Sequence, residues 1–193
     1  MECILSWDEY YAIVGTAVLK VKENEARKYE VNPASLPNFI TGLCGELAFG
    51  KLFNVYPLSL GVDFNGSTAD LILGDLSVDL KTVNGLFFPQ LTDGDLYMSV
   101  GQGHLDSYKA ESLTIDVYVN AVCRKRKVNL LGWNHAGNIM SLIQQKKFKK
   151  NDNNNYEVLP SALKPMSELS FSVKKPLGRR GQEQMLVSNG FDQ

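Results

Sequence analysis

Residues 69–82 read ADLILGDLSVDLKT, and this stretch decides the fold predicted for the chain. Two short runs of alternating apolar and polar residues flank Gly74-Asp75, a dipeptide typical of the tight turn in a β-hairpin. Successive side chains of a strand point to opposite faces, so Asp79 and Lys81 share one face of the second strand. With Asp70 in the first strand, the hairpin is expected to gather two carboxylates and an ammonium on one patch.

Helical patterns precede the hairpin, and strand patterns follow it. Ser6 to Glu9 has the form of a capping box, and the apolar spacing behind it predicts a helix up to Asn32-Pro33. A second helix, from Asn38 to Phe53, is apolar around nearly its whole circumference and should be buried. Three further strands are predicted at residues 96–100, 113–123 and 128–133, a helix at 136–148, and an exposed loop at 150–156. This order predicts an α/β fold in which a central mixed sheet is flanked by helices.

The composition indicates one globular domain. The chain has 193 residues, of which 44% are hydrophobic, and we assign residues 1–173 to a single domain and residues 174–193 to a basic, flexible tail. The three cysteines are far apart and fit neither a disulfide framework nor a Cys-x-x-Cys metal site, which favours a reduced, intracellular compartment. No signal peptide or membrane-spanning run is indicated, so we expect a soluble, cytoplasmic protein.

The two hairpin carboxylates predict a cation site. Asp70 and Asp79 on adjacent strands repel each other unless a cation lies between them, and an all-oxygen pair suits Mg²⁺ better than a soft metal. The backbone carbonyl of Leu80 is placed to complete the protein's share of the ligands. The alternative is a solvent-facing hairpin whose Asp and Lys side chains are ordinary surface charges.

Glu46 is the only acidic residue of the second predicted helix. A buried, unpaired carboxylate costs several kcal/mol at least, so Glu46 needs a partner, and the hairpin patch is one candidate. The alternative places Glu46 at the rim of the helix, where it reaches water and pairs with Lys51.

Three short motifs carry a family resemblance: GELAF at residues 45–49, ADL at 69–71 and VDLKT at 78–82. In this order and spacing they resemble the PD-(D/E)XK nuclease superfamily, which has the restriction endonuclease-like fold. The similarity to small phage and bacterial members continues through DVYV at 116–119 and on to about residue 170. Ala69 stands where the name of the motif has a proline, and many members likewise lack that proline.

The resemblance implies a Mg²⁺-dependent nuclease that hydrolyses DNA phosphodiester bonds, with Mn²⁺ able to replace Mg²⁺. Asp70, Asp79 and the Leu80 carbonyl are then the expected metal ligands. Lys81 is expected to orient the attacking water or to stabilise the phosphate, and Glu46 to bind a second metal or a water on the first. The alternative is a catalytically inactive DNA-binding or assembly module on the same fold. The sequence leaves a homodimer open, and a phage-encoded protein would act in the host cytoplasm.

Charge is divided unevenly along the chain. Residues 1–119 carry 7 basic and 16 acidic side chains, whereas residues 120–193 carry 13 basic and 5 acidic ones, which suggests a polyanion partner. The candidates for contacts with the DNA backbone are Arg124, Lys125, Arg126, Lys127, Lys146, Lys147, Lys149 and Lys150. For any single cluster the alternative is a solvated turn or helix end. The two histidines, His104 and His135, lack zinc-site spacing and are interpreted as hydrogen-bonded surface or loop residues.

Overall fold

The computed structural model describes residues 1–26, 35–55 and 69–169. Its helices and strands follow in the order β1 (Glu2–Ile4), α1 (Trp7–Ala26), α2 (Ser35–Phe53), β2 (Leu71–Leu73), β3 (Leu76–Asn84), β4 (Met98–Gly101), α3 (Gln102–Lys109), β5 (Val117–Arg124), β6 (Lys127–His135), α4 (Ala136–Gln144), β7 (Lys149–Lys150) and β8 (Asn155–Val158). Short 3₁₀ turns lie at Gly85–Phe87, Asp93–Asp95, Pro160–Ala162 and Met166–Glu168. The predicted tail at 174–193 lies outside the described residues.

A five-stranded mixed sheet forms the centre of the fold, with the strand order β1-β6-β5-β3-β2. Strands β3 and β5 are parallel, and the other neighbours in this sheet are antiparallel. Strands β5 and β6 are joined by the two-residue turn Lys125-Arg126, in which Lys125 adopts a left-handed backbone conformation (φ 62°). A second, antiparallel sheet has the order β4-β8-β7. The predicted central mixed sheet flanked by helices is confirmed.

Each face of the central sheet packs on its own apolar cluster. On one face, β5 packs Val117, Val119 and Ala121 against side chains of α1 and α2. These three alternate along the strand because every second residue of a strand points to the same side of the sheet. Tyr118, between them, joins the second cluster with residues of β4, α3, α4 and β8. The sheet is therefore the middle layer between the α1–α2 pair and a layer made of the small sheet, α3 and α4.

The predicted elements that precede and follow the hairpin are largely present. The capping box at the start of α1 is formed, since the Glu9 amide donates to Ser6 Oγ (3.1 Å) and the Ser6 amide donates to Glu9 Oε2 (2.6 Å). The rest of this helix's predicted extent, to residue 33, lies outside the described residues. The loop predicted at 150–156 is wrong in part, because only its middle is a turn and its ends belong to β7 and β8. None of the described helices combines the length and apolar content that a membrane crossing needs.

Candidate active site

The hairpin β2–β3 brings Asp70 and Asp79 together. Asp70 directly precedes β2, its amide donates to the Val78 carbonyl (2.9 Å), and its Oδ2 accepts a hydrogen bond from the Leu80 amide (2.8 Å). Asp79 lies within β3 and is almost fully buried. Burial and then the neighbouring charge of Asp79 raise the pKa of Asp70 to about 7. The two carboxyl groups are therefore close and poorly solvated.

Lys81 lies on the same face of β3 as Asp79. Its Nζ lies 2.7 Å from Asp79 Oδ1, which makes an ion pair with one partly exposed and one buried member. Asp79 Oδ1 accepts no hydrogen bond from any residue that the structure describes. Its contact with Lys81 is therefore an ion pair without hydrogen-bond geometry. One oxygen of this buried carboxylate thus faces positive charge without being fully satisfied.

Glu46 reaches the same cluster from α2. Helix α2 packs closely on β3 at Gly45, where an added Cβ would lie 2.0 Å from Thr82 Oγ1 and 2.8 Å from Leu80 Cδ2. The next residue, Glu46, is only 9% exposed. Burial, then the charge of Asp70 and more weakly that of Asp79, raise its pKa to about 8, while the charge of Lys20 acts in the opposite direction. Glu46 is therefore a buried carboxyl group within reach of the charge of Asp70.

The alternative placement of Glu46 at a solvated rim does not hold. Lys51, its proposed surface partner, lies 2.7 Å from Glu9 of α1 instead. Glu46 is buried, so its carboxyl group does not lie on the solvated surface of the helix.

The chemistry of the cluster suits a hard cation. Buried carboxylates are stable in proteins when they are paired or coordinate metals, and oxygen donors of this kind are those that Mg²⁺ prefers. The residues that could hold it are those predicted from the sequence, namely the carboxylates of Asp70 and Asp79 and the backbone carbonyl of Leu80. Among residues 1–26, 35–55 and 69–169, no three His, Cys, Asp or Glu side chains form a ready-made ligand set for one ion. A site with two carboxylates fits Mg²⁺ because this ion usually keeps several of its waters.

His104 is a member of the site that the sequence interpretation missed. It lies in the first turn of α3, its side chain is 13% exposed, and its Nδ1 lies 3.8 Å from Asp79 Oδ2. The same nitrogen is 2.6 Å from the hydroxyl of Tyr118. Burial and the charge of Asp79 raise the pKa of Tyr118, so its hydroxyl keeps its proton. The prediction that His104 is a hydrogen-bonded residue is confirmed, but the residue lies against Asp79 and not on the outer surface.

The first basic cluster is largely occupied by contacts within the protein. Arg124 pairs with Asp93 (3.0 Å) and donates to the carbonyls of Gly85 and Leu91. Arg126 Nη1 donates to the Leu5 carbonyl (2.6 Å), and Lys127 forms an ion pair with Glu2 (2.8 Å). The cationic groups of Lys125 and Arg126 both lie over the ring of Trp7. Arg124 thus contacts the segment 85–93, and the other three charges hold the β5–β6 turn against the start of the chain.

The second basic cluster is more open. Lys146, Lys147, Lys149 and Lys150 are all exposed. The first three make no ion pair with any other described residue, and Lys150 donates to Gln102 Oε1 (2.9 Å) at the start of α3. Since α3 also carries His104, this cluster is connected to the carboxylate site through one short helix.

Comparison with protein-family models and with curated proteins finds no match for this chain. Among solved structures, the chain is similar to a nuclease from a fusselovirus, with 16% sequence identity and a TM-score of 0.36; the similarity covers 83% of this chain and 86% of that chain.

Proposed function

We propose that this protein is a Mg²⁺-dependent nuclease that hydrolyses phosphodiester bonds of DNA. The observation that carries the proposal is the pair of hairpin carboxylates, the half-buried Asp70 and the buried Asp79, with Lys81 Nζ 2.7 Å from Asp79 and with the buried Glu46 close enough for the charge of Asp70 to raise its pKa. Its order along the chain matches the PD-(D/E)XK pattern that the sequence resembles. Two buried acids and a half-buried one that raise one another's pKa values are costly for folding alone, which favours a functional role.

The carboxylates of Asp70 and Asp79 and the carbonyl of Leu80 would hold Mg²⁺, and Mn²⁺ is expected to substitute. When bound, the ion supplies Lewis-acid polarisation of the phosphate and acidifies water. Glu46 would bind a second cation or hold a water near the first. Burial of Asp79 keeps its carboxylate away from bulk water, which strengthens each electrostatic contact that it makes.

Lys81 contributes a compact positive charge next to Asp79. Hydrolysis of a phosphodiester builds negative charge on the phosphate oxygens, and a fixed donor placed there stabilises the transition state more than the ground state. The 2.7 Å contact with Asp79 holds the ammonium in place before substrate binds. Lys81 therefore serves as a charge stabiliser or orients the attacking water.

The DNA path is proposed to run over the lysines at 146, 147, 149 and 150. All four residues are exposed, and only the side chain of Lys150 donates a hydrogen bond to another described residue, whereas most side chains of the 124–127 cluster are occupied by protein contacts. Exposed lysines bind phosphates as point charges and release counterions, which makes the affinity depend on salt. Lys150 donates to Gln102 of α3, the helix whose His104 lies 3.8 Å from Asp79, so this surface adjoins the site on that side.

Cleavage assays test the catalytic part of the proposal. Linear, circular, single-stranded and branched DNA are incubated with Mg²⁺, Mn²⁺ or EDTA, using wild type, Asp79→Ala and Asp75→Ala. Asp75 is the matched control because it is an exposed aspartate in the turn of the same hairpin. We expect metal-dependent products with wild type and Asp75→Ala, and none with Asp79→Ala. Equal cleavage by Asp79→Ala refutes the site assignment, and DNA binding without any cleavage favours the inactive module.

Binding assays test the DNA path separately from cleavage. Fluorescence anisotropy with the Asp79→Ala protein at several salt concentrations gives the slope of log affinity against log salt. Replacing Lys147 and Lys149 by glutamine should lower that slope by about 0.9 for each phosphate that the protein no longer neutralises. Replacing Lys125 and Lys127 is the control and should change it less. If replacing Lys125 and Lys127 lowers the slope more than replacing Lys147 and Lys149 does, the DNA path lies over the β5–β6 turn instead.

A further inference from the structure

The two carboxylate oxygens of Asp79 face different partners. Oδ1 lies 2.7 Å from the Lys81 ammonium, and Oδ2 lies 3.8 Å from His104 Nδ1. That nitrogen is in turn 2.6 Å from the hydroxyl of Tyr118. The register of the parallel strands β3 and β5 places Tyr118 directly beside Asp79. His104, Tyr118 and Asp79 thus form one contiguous group, in which Tyr118 and Asp79 are buried and the His104 side chain is 13% exposed.

We propose that His104 and Tyr118 are positioning residues, which fix the orientation of the Asp79 carboxylate for cation binding and catalysis. This inference rests on the proposed function, because it assigns the two rings a role at the same site. An aspartate carboxylate rotates over a broad range about its last torsion angle, so its oxygens need neighbours to hold them. Lys81 contacts one oxygen, and the His104–Tyr118 pair occupies the side of the other.

The pair is itself held rigidly. Tyr118 has no exposed surface and lies in the central strand β5, so its hydroxyl has little freedom to move. Helix α3 is fixed at its first residue, because Gln102 Oε1 accepts hydrogen bonds from the Tyr156 hydroxyl and Lys150 Nζ, both at 2.9 Å. The hydrogen bond joins the two rings whichever nitrogen of His104 carries the proton. A rigid neighbour of this kind is what a metal-binding carboxylate needs to keep its geometry.

The test measures binding of Mn²⁺ alone by calorimetry, together with cleavage at saturating metal. The variants are His104→Ala, His104→Asn, Tyr118→Phe and the double variant His104→Ala/Tyr118→Phe. Tyr11→Phe is the matched control, because it also removes a tyrosine hydroxyl but lies exposed on α1, which carries neither ring of the pair. Melting temperatures are measured for every variant, so that a loss of binding can be compared with a loss of stability.

We expect His104→Ala and Tyr118→Phe each to weaken Mn²⁺ binding by about 10- to 100-fold, the range typical of groups that orient a metal ligand. The double variant should lose about as much as either single variant, because the two rings act as one unit. His104→Asn should recover most of the affinity, since its amide can replace the Nδ1 contact, and Tyr11→Phe should bind as wild type does.

Three results would overturn the inference. The first is wild-type Mn²⁺ affinity in both His104→Ala and Tyr118→Phe. The second is a loss of affinity in the double variant that equals the sum of the two single losses, with no recovery in His104→Asn. The third is a loss of affinity that only follows the fall in melting temperature. A wild-type protein that neither binds Mn²⁺ nor cleaves DNA refutes the proposed function instead. The wild-type sample thus separates failure of the function from failure of the positioning role.

Discussion

Gly45→Ala tests whether the close contact between α2 and β3 places Glu46 in the site. A Cβ at this position would lie 2.0 Å from Thr82 Oγ1, 2.8 Å from Leu80 Cδ2 and 3.0 Å from Thr82 Cβ, whereas real Cβ atoms essentially never come within 3.0 Å of a neighbour. Raising the 2.0 Å contact to 3.0 Å requires a separation of about 1 Å between helix and strand. The displaced helix carries Glu46 away from the hairpin carboxylates.

Two opposing terms set the size of the effect on stability. Alanine is better than glycine in a helix by about 1 kcal/mol, whereas overpacking a filled interior costs about 1 to 3 kcal/mol. With three contacts at or below 3.0 Å, we take the upper end of the cost and expect a net loss of about 2 kcal/mol. For a chain of this size that corresponds to a melting temperature lower by about 4 to 8 °C. A misplacement of about 1 Å should also reduce the cleavage rate by about 10²-fold.

Thermal melts and cleavage rates of three variants check this reasoning. Gly15→Ala is the matched control, because it lies within α1 with nothing inside 4 Å of an added Cβ, and it should be stabilised by about 0.5 to 1 kcal/mol. Adding Thr82→Ala to Gly45→Ala removes the nearest clash and should restore part of the stability and the rate. If Gly45→Ala melted at or above the wild-type temperature and cleaved normally, the packing argument for Glu46 would be wrong.

Three further predictions concern the charges. Lys81→Ala should retain its affinity for Mn²⁺ but lose at least about 10²-fold in cleavage rate, and unchanged turnover would exclude Lys81 from the transition state. In EDTA, the raised pKa values of Glu46 (about 8) and Asp70 (about 7) mean that their contribution to stability is fully present below about pH 4 and is lost as pH rises through about 7 to 8. Glu46→Gln should therefore gain stability relative to wild type as the pH rises from about 5 to about 8 in denaturant titrations, and an equal difference at both pH values would contradict burial of the charge. Arg124→Ala should lower the free energy of unfolding by about 2 kcal/mol by leaving its acceptors unpaired, whereas the exposed Lys147→Ala should change it by less than about 0.5 kcal/mol. Equal melting temperatures for these two variants would show that Arg124 does not hold its turn.

The hairpin could be predicted because its determinants are local. Alternating residues identify the two strands, and Gly74 adopts the left-handed conformation (φ 60°) that its turn requires. Antiparallel pairing within ten residues then brings Asp70 next to Asp79 without help from the rest of the chain. The grouping of these two carboxylates with Lys81 follows from the same local pairing.

Other elements could not be predicted because their determinants are distant or ambiguous. Helix α3 has a glycine in its first turn and only one buried apolar residue, Leu105, so it shows no amphipathic pattern. The polar residues 151–154 do indicate a turn, but they join strands β7 and β8 of the small sheet. Asn154 adopts a left-handed conformation (φ 64°), and the side chain of Asn151 accepts hydrogen bonds from two amides of the turn. A composition rich in asparagine is therefore compatible with a loop or with a tight hairpin.

The basic clusters and His104 differ from the hairpin in one physical respect: their roles are set by contacts between residues far apart in the chain. In sequence, residues 124–127 form a denser run of positive charge than the later lysines, yet Arg126 binds the carbonyl of Leu5, 121 positions away. His104 reaches Tyr118 only because a crossover between parallel strands places β5 beside β3 and the small sheet positions α3 above them. A charge count predicts that a polyanion is bound by this half of the chain, but tertiary packing decides which of its cations are exposed. For the same reason, the carboxylates of the site follow from the hairpin, while the group that orients them depends on the whole sheet.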